Sequence, residues 1–112
     1  MTLKREVYAE LEQIVGAEHI SDKPHVLAGN RHALPAAAVK PVSPEAIVLP
    51  VSADEVARIV RVCNRHGLRY IPIVSGLIFF AYPTQPGTII IHLKRMNYIE
   101  FRDEDRMVIL EP

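Results

Sequence analysis

The first fifteen residues repeat their apolar positions with the period of a helix. Leu3, Val7, Leu11 and Ile14 fall four, four and three apart, while Lys4, Glu6, Glu10, Glu12 and Gln13 occupy the other sides. This spacing predicts an amphipathic helix over residues 2–15 that packs one stripe on a core. Gly16 follows the last periodic residue and is its natural stop. Residues 17–45 then lose all period. Pro24, Pro35, Pro41 and Pro44 each remove a backbone donor and bias the preceding residue away from helix. Val26-Leu27-Ala28 and Ala36-Ala37-Ala38-Val39 are too apolar for a free linker, so this stretch reads as an ordered connection over a surface and a candidate part of a ligand site.

The centre of the chain is more regular. Ala46-Ile47-Val48-Leu49 is a continuous apolar run between Pro44 and Pro50, as a strand buried on both faces would be. Ser52 and Glu55 form an S-x-x-E capping box, in which the hydroxyl and the carboxylate satisfy orphan N–H groups at a helix start. Asp54 and Glu55 sit at the positive end of that helix dipole, and Arg61, Arg65 and His66 toward the negative end. Val56, Ile59, Val60 and Cys63 supply its apolar stripe, and Gly67 ends it. Leu68, Tyr70, Ile71 and Ile73 make the next strand. Strand, helix and strand within about thirty residues predict a βαβ unit with parallel strands and a right-handed crossover. A loop from Val74 to Gly87 precedes a third apolar run, Thr88-Ile89-Ile90-Ile91, and a turn from Leu93 to Asn97. Tyr98–Phe101 and Met107–Leu110 flank the polar Arg102–Arg106 and predict a terminal β-hairpin. The expected class is α+β with an α/β-like βαβ core: a small parallel sheet, helices, and the hairpin.

Composition narrows the function. The 112 residues suffice for one domain or a piece of one, and 49% apolar with 23% charged is the mix of a folded chain. Thirteen basic residues balance thirteen acidic ones, which argues against a general nucleic-acid or anionic-membrane binder. No apolar run approaches the ~20 residues that span a bilayer, and no apolar segment behind Met1 suggests a signal peptide. A single cysteine, Cys63, suits a reducing compartment, so a cytoplasmic protein is expected. The chain stops at Leu110-Glu111-Pro112, directly after a strand, which reads as the front part of a longer domain.

Candidate chemistry is sparse. Cys63 and His66, with His25 and His32, offer no tight ligand pairs of the kind zinc uses, and Cys63 sits on an apolar stripe as a core residue would. Neither Ser52 nor Ser75 stands in a G-x-S-x-G setting. Asp103, Glu104 and Asp105 are the solvated turn of a hairpin. No catalytic residue is assigned. The informative place is the exit of the second strand, Pro72-Ile73-Val74-Ser75-Gly76, because ligands of open α/β sheets bind beyond the carboxyl ends of parallel strands. A small hydroxyl residue and a glycine there let a phosphate approach backbone N–H groups. The following Leu77-Ile78-Phe79-Phe80-Ala81-Tyr82 is apolar enough to need a cover: a ligand, another domain or a partner.

The order of these phrases is similar to a known family. Pro44 to Val56 reads P-x-A-I-V-x-P-x-S-x-x-E-V, Asn64-Arg65-His66-Gly67 leads into Ile71-Pro72, Gly87-Thr88-Ile89-Ile90-Ile91 follows the loop, and Arg95-Met96-Asn97 and Val108–Pro112 close the chain. From about residue 7 to 112 this resembles the N-terminal part of the FAD-binding domain of the vanillyl-alcohol oxidase and p-cresol methylhydroxylase (PCMH) family, which includes glycolate oxidase-like and D-lactate dehydrogenase-like flavoenzymes. The resemblance implies that residues 1–112 are the first of two α+β subdomains holding FAD between them. It assigns the FAD pyrophosphate to the loop Ile73, Val74, Ser75, Gly76, Leu77 and Ile78. Pro72, Ile73, Ser75 and Gly76 match the family run P-I-S-x-G-K-N, while Val74, Leu77 and Ile78 depart from it. Backbone N–H groups serve phosphate whatever the side chain. The implied function is the FAD-binding subdomain of a flavin-dependent oxidoreductase acting on a hydroxy acid or alcohol, inactive as an isolated chain. The alternative is a non-catalytic interaction module that keeps the fold with an altered loop, self-associating or held by a partner subunit over residues 77–82.

Overall fold

Three of the apolar runs become neighbouring parallel strands. The computed structural model describes residues 3–29, 42–74, 83 and 85–112. Helix α1 (Arg5–Val15) leads through a 3-10 turn at Ala17–His19 into a two-residue strand β1 (Ile20–Ser21) and a short helix α2 (Pro24–Gly29). Strand β2 (Ala46–Val48), helix α3 (Ala53–Arg65), strand β3 (Arg69–Ile73) and strand β4 (Thr88–His92) form the central unit, and β5 (Ile99–Arg102) pairs with β6 (Met107–Leu110). The sheet order is β1-β2-β4-β3. Strands β2 and β3 are therefore parallel, as the βαβ pattern predicts, but each pairs with β4, which lies between them. The edge strand β1 is antiparallel to β2 and makes the sheet mixed. Its two residues, inside the stretch expected as an irregular connection, are too few to leave a period in the sequence.

The sheet separates two apolar clusters. Ala46, Val48, Ile89 and Ile91 face α1 and α3, joining Val7, Leu11, Val15, Ile59, Val62 and Cys63. Ile47, Ile90 and Ile73 face the other way, against Val26 and Leu27 of α2. Burial on both faces explains why β2 and β4 read as unbroken apolar runs rather than alternating ones. The α1 stripe is Leu3, Val7, Leu11 and Val15, a strict four-residue row, with the expected Ile14 only partly covered. On α3, Val62 joins Ile59 and Cys63 in the core, while Val56 and Val60 are half-buried. Ser52 Oγ accepts from Glu55 N–H at 3.2 Å, and Glu55 Oε2 accepts from Val51 N–H at 2.7 Å. The carboxylate thus reaches one residue before the cap. Gly67, at φ +65°, turns the chain from α3 into β3 in a conformation that a side chain would strain.

The hairpin is a separate two-stranded sheet. Ile99 opposes Leu110 and Phe101 opposes Val108, so these four side chains share one face. All four are at least half exposed, Phe101 at 71%. The opposite face carries an Arg102–Glu100 ion pair at 2.9 Å beside Met107 and Ile109. One face of the hairpin is thus wholly apolar and exposed. The tip closes through Arg106 in the left-handed region, φ 51°.

Candidate functional site

The parallel strands β2, β4 and β3 deliver their carboxyl ends to one edge: Val48-Leu49, Ile91-His92 and Ile73-Val74. Ile73 is buried and lies across from His92, and Val74, half exposed, is the first residue beyond the ladder. These two members of the expected loop lie at the carboxyl end of β3. Ser75, Gly76, Leu77 and Ile78 lie outside the described residues, as do the apolar run 77–82 and most of the Pro-rich stretch, residues 30–41.

Two groups at this edge could attract an anion, and the structure separates them. The first is the α3 N-terminus, which follows β2 directly. Its cap is already filled by Ser52 Oγ, and the Glu55 carboxylate stands over the entering chain. An anion placed there would meet a like charge. The second is the turn after β4, at Leu93–Arg95. Lys94 is exposed and its ammonium makes no ion pair among the described residues. The Arg95 guanidinium donates to Leu49 C=O at 2.6 Å, tying the end of β2 to the turn after β4. His92 Nδ1 accepts from Lys94 N–H at 3.3 Å, which leaves the proton on Nε2 in the neutral ring. Partial burial, with the Lys94 charge adding, holds His92 below the ordinary histidine range. The edge thus offers basic character beside the exit of β3, the electrostatics a pyrophosphate requires. Sequence reading used Arg95-Met96-Asn97 only as a family phrase and did not place Lys94 or Arg95 at the site. The signal available was position: a basic pair one turn after a buried parallel strand.

Cys63 lies elsewhere, fully buried between α3 and the sheet, where desolvation pushes its thiol up to about 11. It is a core residue, as its place on the apolar stripe implies. The other charged cluster joins α1 to α3: Glu10 takes Arg65 and His66 together, with His66 Nε2 at 2.9 Å.

Residues 44–112 match the FAD binding domain family. The chain belongs to that family. FAD is its cofactor, and the carboxyl edge of β2, β4 and β3, with the basic turn at Lys94 and Arg95, fits an anionic dinucleotide there. Among curated proteins, the chain is 38% identical over 71 residues to 1'-carboxy-chondrochloren decarboxylase of Chondromyces crocatus, covering 60% of this chain and 13% of that protein. It is 33% identical over 66 residues to glycolate oxidase subunit GlcD of Bacillus subtilis (strain 168), covering 57% and 14%. The chain thus spans about an eighth of these relatives. The fold is similar to that of p-cresol methylhydroxylase (TM-score 0.74, 24% identity, 87% of this chain and 20% of that one). It is equally similar to 4-ethylphenol oxidase of Gulosibacter chungangensis (TM-score 0.74, 23% identity, 91% and 21%). An alkyldihydroxyacetonephosphate synthase matches at TM-score 0.77 with 23% identity, over 95% and 23%. The expected PCMH-type architecture, α+β with parallel strands and a C-terminal hairpin, is the one observed. Among the described residues no helix is long and apolar enough to cross a membrane.

Proposed function

We propose that residues 1–112 act as the first subdomain of the FAD-binding domain of a flavin-dependent oxidoreductase whose substrate is a hydroxy acid or alcohol. The observation that carries this reading is the convergence of three parallel strands on one edge, with β3 leaving through Ile73-Val74 beside a basic turn. In this reading the backbone from Ile73 to Ile78, including Ser75, Gly76 and Leu77, carries the pyrophosphate, and Lys94 balances its charge. When bound, FAD supplies the redox chemistry, and this chain supplies binding and orientation. The hairpin face of Ile99, Phe101, Val108 and Leu110 supports a subdomain that works against a second one, since an uncovered apolar face of that size finds a partner. The isolated chain is therefore expected to bind FAD weakly and to turn nothing over. A cytoplasmic location accompanies this reading, because a lone buried thiol suits a reducing compartment.

The hairpin face also favours a second reading, a non-catalytic module that self-associates or docks on a partner subunit. The two differ in their response to FAD. Flavin fluorescence quenching should report saturable binding to the chain, and Val74→Asp should weaken it about tenfold by placing a carboxylate where the pyrophosphate arrives. Affinity indifferent to that change would remove the loop assignment. Grafting residues 44–112 in place of the matching segment of the Bacillus subtilis glycolate oxidase subunit tests the larger claim. A folded graft that retains no flavin would overturn the oxidoreductase reading and leave the interaction module standing.

A further inference from the structure

A second charged feature lies away from the cofactor edge, in the groove between α1 and α3. Arg58, Arg61 and Arg65 stand three and four apart along α3, which puts them on one stripe with neighbouring Cβ atoms about 5–6 Å apart. They line a groove of about 250 Å3 together with Gln13 and Ile14 of α1 and Val62 of α3. The groove has one carboxylate, Glu10, and it is fully engaged. Arg65 holds one oxygen and His66 the other. The hydrogen bond from His66, with the Arg65 charge in support, keeps that carboxyl below its usual range, so it is ionised and matched to Arg65 at neutral pH. Arg58 and Arg61 have no ion pair or hydrogen bond among the described residues. Asp54, four residues before Arg58, makes no ion pair with it. The protein as a whole is neutral, yet this groove sets two guanidinium groups without an ion pair among the described residues beside the apolar Ile14 and Val62.

We propose that the α1/α3 groove is a binding site for a phosphate monoester carried on a small apolar body. Two adjacent guanidinium forks match the three acceptor oxygens of a phosphoryl group and bind it in bidentate fashion. A bare anion would gain little from Ile14 and Val62, whereas an aromatic or aliphatic ester would cover them. The Gln13 amide adds a neutral donor. The site lies between α1 and α3 in the helical layer and is independent of the FAD reading.

Phenyl phosphate is the probe, titrated at fixed ionic strength and followed by amide chemical shifts of the 112-residue chain. Saturation at one site with a Kd of about 1 mM or tighter is expected, with the shifts on α1 and α3. Arg58→Gln and Arg61→Gln should each weaken binding about fivefold and leave the melting temperature unchanged, because both side chains are exposed and unpaired. Inorganic phosphate should bind more weakly than the ester. Absence of saturation, affinity indifferent to both substitutions, or displacement of the probe by FAD would each overturn the proposal, the last by moving the site to the sheet edge.

Discussion

Arg95→Met isolates the contact that joins two strand ends at the carboxyl edge of the sheet. The Arg95 guanidinium donates to Leu49 C=O at 2.6 Å in a part-buried setting, while Leu49 N–H donates to His19 C=O at 2.9 Å. Leu49, at the end of β2, is therefore tied both to the 3-10 turn before β1 and to the turn after β4. Methionine keeps most of the side-chain volume and removes the charged donor. A charge-assisted hydrogen bond of this type contributes about 1.5–3 kcal/mol, and the carbonyl left short of its donor bears a desolvation cost within that range. The expected loss is about 2 kcal/mol, read by urea unfolding followed by circular dichroism, with an unchanged m-value. For a domain of about 100 residues this corresponds to a fall in Tm of about 8 °C. FAD affinity should fall as well, because the carboxyl ends of β2 and β4 lose their common anchor. Arg95→Lys should recover part of the stability and none of the fork geometry. A loss below about 0.5 kcal/mol, the level of an ordinary surface substitution, would refute the reasoning.

Ser52→Ala removes the acceptor for Glu55 N–H and should cost about 1 kcal/mol in the same urea assay. Arg106→Gly should raise stability by up to about 1 kcal/mol, since Arg106 holds a left-handed backbone, φ 51°, that suits glycine. Cys63 should resist iodoacetamide at pH 8 in the folded chain and react readily in urea, because its thiol titrates near 11 in the fold. A raised acid pKa means that the unfolded chain ionises first, so Cys63 should erode stability between about pH 9 and 11, and Cys63→Ala should flatten that part of the profile. His92 has the opposite window. Its pKa is depressed in the fold, so the unfolded chain takes the proton first and stability should fall as pH drops below about 6.5, a dependence that His92→Gln should reduce.

Much of this fold is legible because its elements are locally consistent. The Leu3-Val7-Leu11 row, the Ser52/Glu55 cap, Gly67 and the hairpin around Asp103–Asp105 each declare themselves within a few residues. The sheet order does not. Nothing local says that β4 inserts between β2 and β3, because β2 and β4 read as equally apolar runs and both lie inside the sheet. Strand β1 escapes for another reason: Ile20 and Ser21 pair with Ile47 and Val48 through position, and carry no periodicity of their own. The site divides in the same way. Ile73 and Val74 follow from the rule that ligands meet the carboxyl ends of parallel strands, whereas Lys94 and Arg95 come to that edge only through the register of Ile73 with His92.

Net charge is the property that changes most between sequence and fold. A neutral total argues against a general binder of nucleic acid or anionic membranes, and it leaves open how charge is distributed locally. Several acidic groups act locally: Glu55 over the start of α3, Glu10 on Arg65 and His66, and Glu100 on Arg102, while Asp103 to Asp105 sit at an exposed hairpin tip. Basic groups without an ion pair among the described residues include Lys94 in the turn after β4 and the row of Arg58 and Arg61 on α3. Exposed charges are felt over only about 8 Å at physiological salt, so each patch acts on its own surroundings and the overall balance is irrelevant to either. The Glu55 carboxylate makes the selection sharper still. By standing over the first turn of α3 it sets a like charge where a second anion would approach that helix N-terminus at the sheet edge.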